Sequence, residues 1–289
     1  MRARPRSLEE PYRGRAVPPA SPRYFSWLFA APEARDPLLG VYALMAEWRG
    51  LMDPAAEASA ARLKIAWWQE EIGRLTRGAP VHPITRFLGT LPRAERVDFA
   101  PLGASIEAAD RQIAGAPLEH GSELAAHSAA LRAVPLAIAA RLARVPAPES
   151  GAGSAAERVA GALAEADYLA DALADYRRAA HRGRVIFPVD ELLAARIEDA
   201  DLTAGEPPAH LQAYLAAQRR RAAELYAAAE SMPRAERAAL RHLLVLAALG
   251  AKRLRERAAG TSGRRLADLY LAWTTARRAA RNDSPVSED

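Results

Sequence analysis

The stretch "YLADALADYRRAAHRGRVIFP", Tyr168 to Pro188, is where the reading of this chain turns. Asp171 and Asp175, with Asp167 just before the stretch, recur every four residues, and the sequence then becomes basic through Arg177, Arg178, Arg182 and Arg184. A spacing of four puts side chains on one face of an α-helix. The segment therefore reads as the end of a long helix, opening near Ala155 and running to about Ala180, whose acidic column leads into a basic turn. Two physical readings stand side by side. The column is either a carboxylate face aimed at a cation or ordinary helix electrostatics. Asp175 precedes Arg178 by three residues and Arg178 precedes Arg182 by four, and such pairs stabilise a helix by roughly 0.2–0.5 kcal/mol each.

Outward from that helix, helical periodicity continues and alternating strand patterns are absent. Upstream, a helix is predicted from near Pro37 through "LLGVYALMAEWRGLM", broken by Pro54. "AARLKIAWWQEEIGRLTRG" follows, with Leu63, Trp67 and Ile72 facing inward and Gly78 as its stop. Trp67 and Trp68 point about 100° apart on a helix, so one belongs to the core and the other to a groove or surface. "HPITRFLGTL" starts with Pro83 in a first turn. "FAPLGASIEAADRQIAG" and "SELAAHSAALRAVPLAIAARLARV" are further helices, and "PAPESGAGS" is a loop. Composition is alike on both sides of that loop, so the expectation is one all-α domain over residues 21–280. Residues 1–20, basic and proline-rich without the apolar core of a secretory signal, read as a flexible arm, and 281–289 as a disordered tail.

The 289 residues are 50% hydrophobic, enough for a sizeable core, and alanine, the best helix former, supplies much of it. Cysteine is absent, which excludes disulfides and thiolate metal sites. A net charge of +5 suits anionic small molecules, anionic membrane surfaces or nucleic acid. There is no zinc-finger spacing and no basic run interleaved with stacking aromatics, so no nucleic-acid partner is expected. The longest apolar run, "LLVLAALGA" (Leu243–Ala251), falls far short of the roughly 20 residues a spanning helix needs. HExxH, P-loop, dinucleotide and Ser-His-Asp patterns are missing as well.

Two segments together resemble the squalene/phytoene synthase family, all-α enzymes that join two prenyl diphosphates head to head. One is "FSWLFAAPEARDPLLGVYALMAEWRGLMD" followed by "RLKIAWWQEEIGRLTRGAPVHPITRFL"; the other is "YLADALADYRRAAHRGRVIFPVDEL". The resemblance implies an isoprenoid-synthase-like helical bundle around a central cavity. In the family, aspartates four apart on two facing helices hold Mg²⁺ against the diphosphate, a hard-oxygen arrangement suited to that ion. Laid over this chain, the first motif keeps Asp53 at its last position but has Arg49 at its first, with Gly50 beside it. An arginine repels Mg²⁺ instead of ligating it. The second motif keeps Asp175, while its partner position holds Ala179; Asp171, one turn earlier, offers a shifted pair. Arg182, Gly183 and Arg184 retain the basic turn that lies beside the diphosphate in the family. Ser21 and Tyr24 fall where family members place a substrate-contacting Ser/aromatic segment.

The diphosphate-binding candidates, vestigial or altered, are thus Ser21, Tyr24, Arg49, Asp171, Asp175, Arg182 and Arg184. Asp53, Asp171 and Asp175, followed by Glu57, are metal candidates only if the protein is catalytic, and Mg²⁺ is expected only then. No catalytic residue is assigned. Arg49 either pairs with Asp171 or Asp175 across the site or binds phosphate directly. Half of the motif aspartates are lost, which points to a non-catalytic member acting in binding or assembly. The pattern from Ala43 through Trp68, with "AE" where enzymes have a basic residue, is most similar to the complex I assembly factor branch. That similarity implies a membrane-associated protein complex as partner and a cytoplasmic protein lying peripherally at the inner membrane. The alternatives are an active Mg²⁺-dependent prenyltransferase releasing diphosphate, and a carrier of a prenyl diphosphate or lipid.

Overall fold

Proline sets the start of several early helices, where its missing N–H costs nothing. A computed structural model describes residues 8–53, 57–143, 155–261 and 265–281. Helices α1 (Glu10–Ala16), α2 (Pro22–Leu28) and α3 (Pro32–Leu51) each carry a proline at the first or second position. After them come α4 (Ala58–Thr76) and α5 (Pro83–Gly89), the latter again started by proline, then α6 (Leu102–Ala114), α7 (Gly121–Ser128) and α8 (Val134–Leu142). The long helix α9 spans Ala155–Ala180. Beyond it lie α10 (Val189–Ala194), α11 (Asp199–Thr203), α12 (Ala209–Ala227), α13 (Arg234–Arg237), α14 (Arg241–Ala258) and α15 (Arg265–Arg281). No strand occurs among the described residues.

The bundle is organised on two long helices. α9 packs along α12 and against α14 and α7, while α3 packs on α1, α8 and α5. Leu38, Tyr42, Leu44 and Trp48 of α3 are fully buried in one cluster with Trp68 and Ile72 of α4 and Leu169 of α9. Smaller clusters sit under α12, around Phe187, Leu211 and Tyr214, and between α2, α14 and α15, around Phe25, Leu249 and Ala272. Gly250 lets α12 lie close to α14, since a Cβ there would collide with the Tyr226 ring.

Several expectations are corrected. Residues 8–20 are no flexible arm: α1 packs on α3, and Leu8, Ala16 and Val17 enter the main core, so their burial outweighs the polar composition around them. Helix α3 starts at Pro32, with Pro37 buried inside it; the N–H that proline lacks would have bonded the Glu33 carbonyl, so the helix runs one hydrogen bond short there. On α4 the inward residues are Ile65, Trp68, Ile72 and Leu75, whereas Leu63 is 75% exposed and Trp67 39%. Ile72 lies about 180° round the helix from Leu63, so the two cannot turn in together, and the buried four form the stripe at helical spacing. The helix predicted from Ser122 onward is interrupted by a wide π-type turn over Ala129–Ala133. Pro135, which follows it, has no N–H to give and clashes with the carbonyl of Leu131, so the ladder opens there. Pro54, the Pro146–Ser154 loop and the tail beyond Arg281 lie outside the described residues.

Candidate functional site

The aspartates of α9 share a column but not an environment. Each step of four residues advances about 40° around a helix, so the column sweeps from the bundle toward solvent. Asp167 faces α12, where the Tyr226 hydroxyl donates to its Oδ1 at 2.7 Å. Burial pushes the Asp167 carboxyl up, opposed by the charge of Arg132 and the Tyr226 hydrogen bond. The Tyr226 hydroxyl is itself pushed up, by burial first and by Asp167 next. Asp171 is ringed by guanidinium groups: Arg132 at 2.8 Å and Arg49 at 3.1 Å on Oδ2, with Arg257 at 4.0 Å from Oδ1. Asp175, farthest round, pairs with Arg178 of its own helix at 3.2 Å.

The ring around Asp171 is assembled from distant segments. Arg49 comes from the last turn of α3, Arg132 from the π-type turn and Arg257 from the end of α14, where it also donates to the Ala170 carbonyl at 3.0 Å. The wide turn is what places Arg132 here, and such turns often serve this purpose. Arg49 and Arg257 are 60% and 52% exposed, whereas Arg132 is 18% exposed, so the ring has a floor and an open side. Arg23 of α2 adds a further guanidinium. It makes no ion pair among the described residues and lies over the Tyr42 ring, 5.7 Å from its centroid. Its pKa is lowered to about 10, by burial first and by the charge of Arg49 next, with Arg132 also contributing. Tyr42 is fixed by a 2.7 Å hydrogen bond with Ser26, and burial raises its hydroxyl to about 12.

Beside this ring opens a cleft of about 580 Å³, walled by Leu51, Met52 and Asp53 after α3, Ala61 of α4, Ile113–Gly115 at the end of α6, and Arg182–Arg184. Gly183, with φ of 68°, supplies the left-handed step that turns the basic run across the cleft. Arg184 is held there by donating to the Gln112 carbonyl at 2.6 Å. Tyr168 joins the two places. Its hydroxyl donates to the Ile186 carbonyl at 3.1 Å, and the charges of both Arg132 and Arg184 act on it against a rise caused by burial.

The structure therefore brings Arg49 and Asp171 together, and Asp53 with Arg182 and Arg184, but it does not make one carboxylate cluster of Asp53, Asp171 and Asp175. Ser21 and Tyr24 have local roles. The Ser21 hydroxyl caps α2 by accepting the Tyr24 N–H at 3.1 Å, and the Tyr24 ring packs on Phe25 at 5.5 Å and Trp27 at 6.2 Å. Arg23, between them, is the member of that segment that reaches the site. Its signal is its place between the two motif residues, next to Tyr24. The signal for Arg132 was an arginine inside the apolar run "AALRAVPLAI". Arg257 carries no local signal, because one arginine among several on α14 is selected only by packing.

The Asp171 oxygens face guanidinium groups, Asp175 pairs within its helix, and no group of three or more His, Asp or Glu among the described residues is arranged to hold a metal. Guanidinium forks instead offer the geometry that phosphate oxygens take directly.

A second acidic segment stands apart. Glu71 of "WWQEE" is fully buried and accepts the N–H groups of Val81 and His82, each at 2.9 Å, the Thr85 hydroxyl, and Arg74 Nε at 2.7 Å. Burial alone would raise its carboxyl, but the hydrogen bonds from Thr85, His82, Arg74 and Val81 outweigh it and hold it below the ordinary range. This explains the spacing from "WWQEE" to "HP": the carboxylate ties the end of α4 to the start of α5.

The family model for squalene/phytoene synthase matches residues 19–269. Among solved structures, a dehydrosqualene synthase in complex with ligand is similar with a TM-score of 0.66 and 14% identity, covering 90% of each chain. The squalene synthase HpnC from Alicyclobacillus acidocaldarius is similar with a TM-score of 0.67 and 19% identity, over 85% of this chain and 92% of that one. No curated protein matches.

Proposed function

The chain belongs to the squalene/phytoene synthase family, and from that premise we propose that it binds a prenyl diphosphate on arginines, without magnesium, and does not ionise it. The observation that carries this reading is the partnering of Asp171, gripped by Arg132 and Arg49. Ionising an allylic diphosphate needs charge stabilisation concentrated on the leaving group. Carboxylates neutralised by guanidinium groups have no capacity left to gather metal ions for that purpose. The same guanidinium groups suit binding. Arg49 and Arg257 can turn from Asp171 to a diphosphate, Arg132 forms the floor, and Arg23 supplies a buried charge with no carboxylate of its own. Leu51, Met52 and Ile113 give the adjoining cleft an apolar wall for the start of a prenyl chain. Binding that holds ground state and transition state equally raises affinity and leaves the rate unchanged.

A non-catalytic assembly-factor-like role draws support from Glu47, in the "AE" step. It ties α1 to α3 through Arg15 at 2.7 Å, a structural duty at a position where enzymes of the family carry a basic residue.

Calorimetric titration with farnesyl diphosphate tests the binding reading. Affinity is expected to be the same within about twofold in EDTA and in Mg²⁺, and Arg132→Ala is expected to weaken it about tenfold or more, as loss of a charge-assisted pair does. No binding, or binding only with Mg²⁺, overturns it.

A further inference from the structure

The outer face of α15 has no partner in the fold. Asp268, Ala272, Ala276 and Ala279 turn inward, while Leu266 is 79% exposed, Leu269 39%, Tyr270 66% and Trp273 42%. These exposed residues fall at i, i+3, i+4 and i+7, one stripe along the helix. Single exposed apolar side chains need no explanation, but a continuous stripe holding two aromatics marks a contact surface.

The charge around the stripe narrows what can cover it. Arg265, Arg277, Arg278 and Arg281 are exposed beside it, and the Arg277 guanidinium lies over the Trp273 ring at 5.1 Å. The sole carboxylate of the helix, Asp268, is turned away and neutralised by Lys252 at 2.7 Å, with Arg253 at 3.8 Å. Among its described residues, α15 thus presents apolar surface and positive charge and no exposed carboxylate. A second copy packed symmetrically on this face would bring two arginine rims together, and like charges facing each other are costly. An apolar layer lying under a negative one meets both requirements, and Tyr and Trp favour the headgroup level of such a layer.

We infer that α15 is an in-plane docking face for an anionic lipid membrane. Leu266, Leu269, Tyr270 and Trp273 enter below the headgroups, and the arginines engage lipid phosphates. No described helix is long and apolar enough to cross a bilayer, so the contact lies on one leaflet. The inference stands independently of the ligand reading, because no residue of the arginine ring lies on α15.

Flotation of the full chain with vesicles tests it, using phosphatidylcholine alone or mixed with phosphatidylglycerol. The protein is expected to float with the mixed vesicles only. The variant Leu266→Ser/Tyr270→Ser/Trp273→Ser and, separately, Arg277→Glu/Arg278→Glu are each expected to bind about tenfold or more weakly. Arg219→Glu/Arg220→Glu, an equal charge reversal on the exposed side of α12, is expected to stay within about twofold of the parent. A brominated lipid should quench part of the tryptophan fluorescence of the parent, and Trp273→Phe should remove that part, which tests the face without altering its fold. Absence of flotation overturns the inference. So does an equal loss in the α12 control, or a self-associating parent that the triple variant turns into monomers.

Discussion

At the end of α4 the Glu71 carboxylate is buried with donors from Val81, His82, Thr85 and Arg74 around it. On α9 the aspartates lie a turn apart, and each answers to a different partner: a tyrosine, a ring of arginines, and an arginine of the same helix. Both segments carry the resemblance to the family, yet they serve different ends. Glu71 holds the fold, so the backbone donors it satisfies leave no room for substitution. The column on α9 faces a partly open site, where exchanging one partner for another costs little stability and changes the chemistry.

The contrast is broken most easily by removing the carboxylates in turn. Glu71→Ala strips acceptors from the buried N–H groups of Val81 and His82 and leaves Arg74 without its partner; it is expected to destabilise the chain by about 3–5 kcal/mol. Urea unfolding measures this, and a loss comparable to that of a surface pair would end the distinction. Acid separates the regions next. Burial holds the imidazoles of His242 and His127 at about 4, and their neutral folded forms favour folding fully above the unfolded value near 6.5. Stability should therefore decline as pH falls from about 6.5 toward about 4, by up to roughly 3 kcal/mol for each imidazole. Glu71, held low, adds to the loss as pH falls through its depressed value. Asp167, held high, works in the opposite sense, since protonation relieves a buried charge. Urea midpoints measured across this range should flatten in His242→Leu; an unchanged slope would place the cause elsewhere. The smallest expected effect on stability is that of Asp171→Asn, within about 1 kcal/mol, because Asp171 and two of its three partners, Arg49 and Arg257, are substantially exposed. It should nevertheless raise the affinity for inorganic diphosphate several-fold, by freeing Arg49 and Arg132. A fall in affinity would mean that Asp171 acts as a metal ligand.

The sequence made the α9 segment legible in outline, and the structure places that helix at Ala155–Ala180. Gly78 also follows α4 as a stop, with φ of 76°. Local periodicity suffices for such features, since capping and breaking act within a turn. It does not suffice for what covers a face: Ile65, Trp68, Ile72 and Leu75 recur at i, i+3, i+7 and i+10, a stripe that leaves out Leu63 and Trp67, but that this stripe meets α6 is set only by packing. The site divides the same way. Arg49, Asp171, Arg182 and Arg184 could be named because the family motif marks their positions. Arg23 and Arg132 left only a faint local mark and Arg257 none, because α2, the π-type turn and the end of α14 come together only once the bundle closes.

The most direct test of the central claim is diphosphate release from farnesyl diphosphate by the purified protein, with Mg²⁺ and with EDTA, each reaction extracted for hydrocarbon. The account predicts release no faster than in protein-free buffer under either condition. Mg²⁺-dependent release accompanied by a condensed hydrocarbon would contradict it, and would mean that Asp53, Asp171 and Asp175 still gather metal when substrate is bound.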